Sequence, residues 1–266
     1  MFHSLRRYAR LYRIFARNNV ARELEFRANF WGKVITNLSW LFLSILFLKI
    51  LYANTHSVAG WSEGHMFLLL GTFMFSRALT DILFTQNLSK IPEMVRTGTM
   101  DFVLTKPVPS LFYVSTRYLS LDEIGSLFGA VAVLAYGCLL TRTHPSPAQF
   151  VAWAVLTLCG LLILYAFQLV LMTLSFWLVR IDNLSALVDT VVFAARYPPD
   201  IFSASLKMFV TYFLPLAFVA YIPALALKAG TSAYWLGTGV VITTLFVSAA
   251  SFFWRYATQA YTSASS

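Results

Sequence analysis

The residue types that ligate metals or act as nucleophiles are few in this chain, and their spacing supports neither role. Four histidines (His3, His56, His65, His144) are scattered, and no two share a helix face with carboxylates. Cys138 and Cys159 both sit in apolar runs, without metal-ligand spacing to a His or to each other, and read as small buried hydrophobes. No Gly-x-Ser-x-Gly elbow occurs. Gly32-Lys33 is the only Gly-Lys pair. Val34 follows it where a phosphate-binding loop needs Ser or Thr, and Arg27 stands where that loop needs its first glycine. The expectation is a chain that is not an enzyme, has no metal or cofactor of its own, and leaves any ATP chemistry to another protein.

Two charged residues lie where charge is costly. Arg77 and Asp81 are four apart within a long apolar stretch, so they should pair on one helix face. One reading makes them a polar element lining a translocation path or gate. The other makes them a structural ion pair that locks the helix to a neighbour. Asp122 and Glu123 fall near the start of a third apolar stretch, where they contact Arg96 or Arg117 or face water.

Between the second and third apolar stretches lies a polar island, residues 88 to 117, that carries Lys90, Arg96, Lys106 and Arg117. Ile91 to Met100 reads as a short helix, and Lys106-Pro107-Val108-Pro109 stops it. Basic loops near span ends stay on the cytoplasmic side. An ordered cytoplasmic loop is a docking surface for a soluble partner.

The elements that position these residues are those of a membrane protein. Hydrophobic residues make up 59% of the 266 and charged residues only 12%, against about 25% charged in a soluble domain. The length accommodates about six spans of roughly 20 residues. They are expected near 30–51, 65–88, 119–140, 150–179, 201–227 and 233–254, with 184–196 either an interfacial helix or part of the fifth span. Pro215 and Pro223 interrupt the fifth, so a helix that turns back through the outer leaflet is expected there. Gly125 and Gly129 form a small-xxx-small pair in the third.

The net charge of +9 raises nucleic-acid binding as a possibility, and the distribution of the charges excludes it. Arg6, Arg7, Arg10, Arg13, Arg17, Arg22 and Arg27 precede the first span, the island adds four more cations, and Arg255 follows the last span. The stretch 53–64 has no Lys or Arg, and 141–149 has only Arg142. That is the positive-inside pattern, with both termini cytoplasmic. Arg6, Arg10, Arg13 and Arg17 repeat at helical spacing beside Leu5, Tyr8, Tyr12 and Phe15, so residues 1–29 read as an amphipathic helix on the cytoplasmic membrane surface. An Arg-rich, acid-poor transit peptide would share that composition. Residues 30–266 read as one membrane domain.

Asn87-Leu88, Ile91-Pro92, Arg96-Thr97-Gly98, Asp101, Leu104 and Lys106-Pro107-Val108 resemble the loop signature of the ABC type-2 permeases. Arg196-Tyr197-Pro198, Leu214-Pro215-Leu216-Ala217-Phe218 and Ile222-Pro223-Ala224 resemble the family's second signature. Thr99-Met100 departs from it, since an aliphatic residue usually precedes the Asp. The resemblance implies an all-α, six-span membrane subunit of an ABC exporter in a bacterial plasma membrane. It would pair with an identical or sister permease, and with ATPase subunits that bind ATP and Mg. Ile91 to Met100 would be the coupling helix: Ile91, Met94 and Val95 form an apolar knob, Pro92 opens it, Glu93 and Arg96 make rim ion pairs, Gly98 ends it, and Asp101, Lys106 and Pro107 follow. Residues 201–230 would be re-entrant, with Pro198, Pro215 and Pro223 at the gate. The competing readings are a membrane-embedded enzyme, which needs a clustered His, Asp or Glu set, and a self-contained secondary transporter or channel, which usually shows repeated halves.

Overall fold

The computed structural model describes residues 10–20, 27–178 and 184–261. Expectations for His3, Leu5, Arg6, Arg7, Tyr8 and Arg22 lie outside these. The described residues form helices, turns and loops, with one isolated bridge between Val58 and Trp61. In chain order, α1 covers residues 10–20, α2 Arg27–Ala53, α3 Glu63–Thr80, α4 Ile91–Arg96, α5 Met100–Leu104, α6 Ser110–Thr116 and α7 Ile124–Thr141. There follow α8 Pro147–Thr173, α9 Leu184–Phe193, α10 Ala204–Met208, α11 Tyr221–Ala229 and α12 Ala233–Ala260.

Among the described residues, five helical stretches are long and apolar enough to cross a membrane: Val34–Ala53, Glu63–Arg96, Leu121–Thr141, Pro147–Phe176 and Ala233–Ala260. Their surfaces are built for a medium without water. Hydroxyls on outward faces are satisfied by their own helix: Thr36 donates to the Gly32 carbonyl at 3.0 Å, Ser39 to Ile35 at 2.9 Å and Thr244 to Val240 at 2.8 Å. Large apolar side chains such as Phe42, Phe128, Leu139 and Phe252 are exposed around them, an arrangement that water penalises and lipid does not.

The two central helices are α3 and α8, whose spans are the most buried of the five. Sequence dictates how α8 begins. Ser146 and Gln149 form a reciprocal capping box, with the Gln149 amide N–H donating to Ser146 Oγ at 3.3 Å and the Ser146 N–H to Gln149 Oε1 at 2.8 Å. Pro147 occupies the first turn, where its missing N–H costs nothing. Where α8 crosses α3, Trp153 donates its indole N–H to Thr72 Oγ1 at 3.1 Å. Of the expected pair, Gly129 lies close to α2, where a Cβ would meet the Leu41 side chain at 3.1 Å, and Gly125 meets nothing within 4 Å; the closest backbone approaches between long helices are elsewhere. They are at Gly71 and Gly137, on the α3–α7 seam, where a Cβ would meet Leu134 at 2.8 Å and the Leu68 amide at 2.9 Å respectively.

The sequence expectations for 201–227 need correction. The 201–227 stretch is not one helix. It breaks into a 3-10 turn at Pro199–Ile201, α10, a π turn at Phe209–Phe213, a 3-10 turn at Leu216–Phe218 and then α11. Pro215 lies at the break, but Pro223 lies inside the first turn of α11, where no intrahelical donor is lost. The 184–196 stretch buries Leu184, Val188 and Val192 and leaves Leu187 and Phe193 exposed. It runs antiparallel to α3, so that Phe193 packs on Phe73 at 6.5 Å and Asp189 reaches Arg77 at 2.8 Å. Asp200, farther along, meets Trp61 just before α3 begins.

Candidate functional site

Three features collect the polar chemistry of the molecule, and α3 touches all of them. The first is the 88–117 island. Gly98 has φ +71, a left-handed conformation that suits glycine, and its N–H donates to the Val95 carbonyl at 3.3 Å. It therefore stops α4 at Arg96, and the single helix expected over Ile91 to Met100 is two short helices, α4 and α5. Ile91 and Val95 are buried and Met94 is partly buried. The expected apolar knob thus anchors α4 to the body. Glu93, Arg96 and Thr97 face outward, with Lys106 and Pro107 exposed beyond α5. The outward apolar residue is one the sequence reading missed: Phe102, 71% exposed. Its signal was available, because Met100 and Val103 at i, i+3 define the buried face of α5 and leave Phe102 opposite.

Asn87 staples the two ends of the island together. Its buried side chain donates to the Tyr118 carbonyl at 2.7 Å, accepts from the Tyr118 N–H at 2.7 Å, and donates to the Leu83 carbonyl at 3.0 Å. α1 packs on the same unit, with Asn19 donating to the Arg117 carbonyl at 3.0 Å and Phe15 edge-on to Tyr113 at 6.1 Å. Arg10, Arg13 and Arg17 point outward from α1, as its amphipathic pattern predicts. A 530 Å³ groove between α4 and α6 is lined by Lys90, Glu93, Lys106 and Arg117. Its cations lie over tyrosine rings, Lys90 at 3.6 Å from Tyr118 and Lys106 at 5.5 Å from Tyr113.

The second feature is a cavity of 310 Å³ between α2, α3, α7 and α9. Arg77 is its centre. Nε donates to Asp81 Oδ2 at 2.7 Å and Nη2 lies 2.8 Å from Asp189 Oδ1. Asp81 Oδ1 accepts from Thr85 Oγ1 at 2.7 Å, and Thr85 in turn accepts from Gln168 of α8 at 3.2 Å. Glu123 also lines the cavity, its carboxylate accepting from Asn37 at 3.0 Å and Ser126 at 2.9 Å. The helix is not regular here: Asp81–Thr85 forms a π turn, a local widening that recurs at functional positions. Sequence predicted the Arg77–Asp81 pair. It did not predict Asp189 as the second partner, because that contact depends on α9 lying beside α3.

The third feature is the broken segment. Its apex, Leu214 to Ala220, packs deep between the long helices. Ser76 Oγ donates to the Val219 carbonyl at 2.8 Å, and Gly160 leaves room for the Phe218 and Val219 backbone. Ser76 and Gly160 each lie about 20 Å along their helices from Glu63 and Pro147. At the other end, Asp200 accepts from Lys207 Nζ at 2.6 Å and from the Trp61 indole at 3.2 Å, while Lys228 sits over the Trp61 ring at 4.7 Å. Burial pushes the Asp200 carboxyl up, but hydrogen bonds from Lys207, Tyr221 and Trp61 outweigh it and hold it below the ordinary carboxylate range. Pro198, Pro215 and Pro223 are buried in this segment and do not line the central cavity.

Among the described residues no cluster of His, Cys, Asp and Glu has the form of a metal site. A comparison with curated proteins gives no match. A family model described as ABC-2 family transporter protein matches residues 38–265, which include the island, the Arg77 cavity and the broken segment. The chain belongs to the ABC-2 family of transporter proteins.

Proposed function

We propose that the chain is the permease subunit of an ATP-driven exporter, forming half of a translocation path and working with a separate ATPase that binds ATP and Mg. The observation that carries this reading is the island at the end of α3. It is ordered, held by Asn87, and presents Glu93, Arg96 and Phe102 outward. An exposed aromatic rimmed by opposite charges is the composition of a protein-docking patch. Through the π turn at Asp81–Thr85 it is continuous with the Arg77 cavity, so a push on the island reaches the polar centre along one element.

In this reading the island is cytoplasmic, both termini lie on its side, and α4 with α5 acts as the coupling element in a bacterial plasma membrane. The 184–196 segment supplies a short fifth crossing, with Asp200 beyond it beside the 53–62 connection, and α12 supplies the sixth. Residues 201–230 re-enter from the outer face, which the depth of the Val219 contact with Ser76 supports. Arg77 and Asp81 line the path, and a second permease, identical or a sister chain, supplies its other half.

The test is a mild-detergent pull-down of the full chain from its native membrane, with mass spectrometry and an ATPase assay. Recovery of a stoichiometric soluble ATPase is expected. Recovery of the chain alone under several detergents overturns the reading in favour of a self-contained transporter or channel.

A further inference from the structure

The geometry points to the Arg77 cavity as a binding site for lipophilic cations that enter sideways from the bilayer. This deepens the proposed function by naming a substrate class for the same path, and rests on that reading. Three observations carry it.

The first is the local charge. Arg77 is one guanidinium shared by two carboxylates, Asp81 at 2.7 Å and Asp189 at 2.8 Å. The three together hold one negative charge in excess. Asp81 is further engaged by Thr85. The Asp189 side chain is 44% exposed, and Arg77 is its partner among the described residues. An exposed carboxylate level with Arg77, in the last turn of α3 and about 20 Å along that helix from Glu63, is costly in lipid, and it faces the cavity where a cation would relieve that cost. Arg196, the other guanidinium on the wall, lies over the Tyr197 ring at 5.2 Å. It is about 10 Å along the chain axis from Asp189.

The second is the wall. Leu41, Leu70, Phe73 and Met74 supply apolar surface, with Trp40 and Phe193 supplying aromatic faces for a delocalised cation. A cavity of 310 Å³ with mostly apolar lining and few polar groups has the size and character of a small-ligand site.

The third is the entrance. Leu38, Trp40 and Phe193 lie on the cavity wall and are 56%, 59% and 47% exposed. The cavity therefore opens on the apolar flank between α2 and α9, so a ligand reaches it dissolved in the membrane rather than from water.

The test uses the full chain in lipid nanodiscs and two ions of matched size and opposite charge, tetraphenylphosphonium and tetraphenylborate. Each ion is titrated separately, because the two pair with each other; tetraphenylphosphonium is expected to bind saturably and tetraphenylborate is not. Asp189→Asn is expected to weaken it about tenfold, and Asp189→Glu to retain most of the affinity. Equal or tighter binding of tetraphenylborate overturns the proposal, as does wild-type affinity in folded Asp189→Asn. The comparison of the two ions needs no variant, so a variant that fails to fold leaves it decisive. The pull-down separates the two levels. An ATPase that co-purifies with a chain that binds no tetraphenylphosphonium sinks the substrate class and leaves the permease reading. Charge-selective binding without any ATPase does the reverse.

Discussion

Arg77 and Asp189 carry different weights in the same network, and substitution separates them. Arg77→Ala leaves Asp81 and Asp189 facing each other in apolar surroundings with no cation between them. Breaking a buried pair from one side costs about 3 kcal/mol, the low end of the range because a quarter of the Arg77 side chain is exposed. Asp189→Asn leaves Arg77 paired with Asp81 and should cost under about 1 kcal/mol. Thermal unfolding of the purified variants should therefore rank Arg77→Ala well below Asp189→Asn, and equal losses would contradict the shared-cation geometry. Asp200 makes a prediction of a different kind. Its carboxyl titrates lower when folded than when unfolded, so its contribution is fully present above the unfolded value and disappears as pH falls through the folded one. Asp200→Asn should lower the melting temperature at pH 7, and the gap from the parent chain should stay constant down to pH 5 and close only below about pH 4. A gap that closes near neutrality would show that another group controls the latch.

At the scale of elements, the close approach of the broken segment to α8 rests on a missing side chain. A Cβ at Gly160 would collide with the Phe218 carbonyl and with Val219 Cα at 2.8 Å, and backbone has little freedom to retreat. Gly160→Ala should cost about 1–3 kcal/mol from overpacking and Gly160→Val more, while Gly125→Ala, where a Cβ meets nothing within 4 Å, should melt like the parent. The long helices were legible in the sequence because apolar runs of span length and the basic island between them leave few alternatives. The Arg77–Asp81 pair was legible because i, i+4 spacing is local. What was not legible depends on neighbours distant in sequence. The inward turn of Ile91 and Val95 follows from the body they pack against, and although Gly98 was expected to end the helix, the second helix after it, α5, packs through Met100 and Val103 on that same body. The contact of 184–196 with α3 was not legible, because a helix of that length carries too little apolar signal to distinguish a crossing from a surface element.

For the whole molecule, the decisive question is which connections share a side of the membrane, and the packing gives a specific answer. Trp61 and Asp200 are hydrogen bonded, so the 53–62 connection and the stretch after α9 must lie on one face. Asn87 holds the two ends of the island together at the opposite end of α3, and Asn19 brings α1 to that same end. If α9 and its continuation cross, Ser203 sits with Ser57, and both are opposite Thr97; all three side chains are exposed. In a Cys138→Ser, Cys159→Ser background, Ser57→Cys and Ser203→Cys should react with a membrane-impermeant maleimide in intact cells, and Thr97→Cys only after permeabilisation. Were Ser203→Cys protected until permeabilisation while Ser57→Cys reacts freely, the 184–196 segment would not cross, the Trp61–Asp200 bond could not form in the membrane, and the chain would have five crossings. Reaction of both from outside would give six crossings, with the short fifth one placing Asp189 at the depth of Arg77, which is the arrangement that the polar cavity requires.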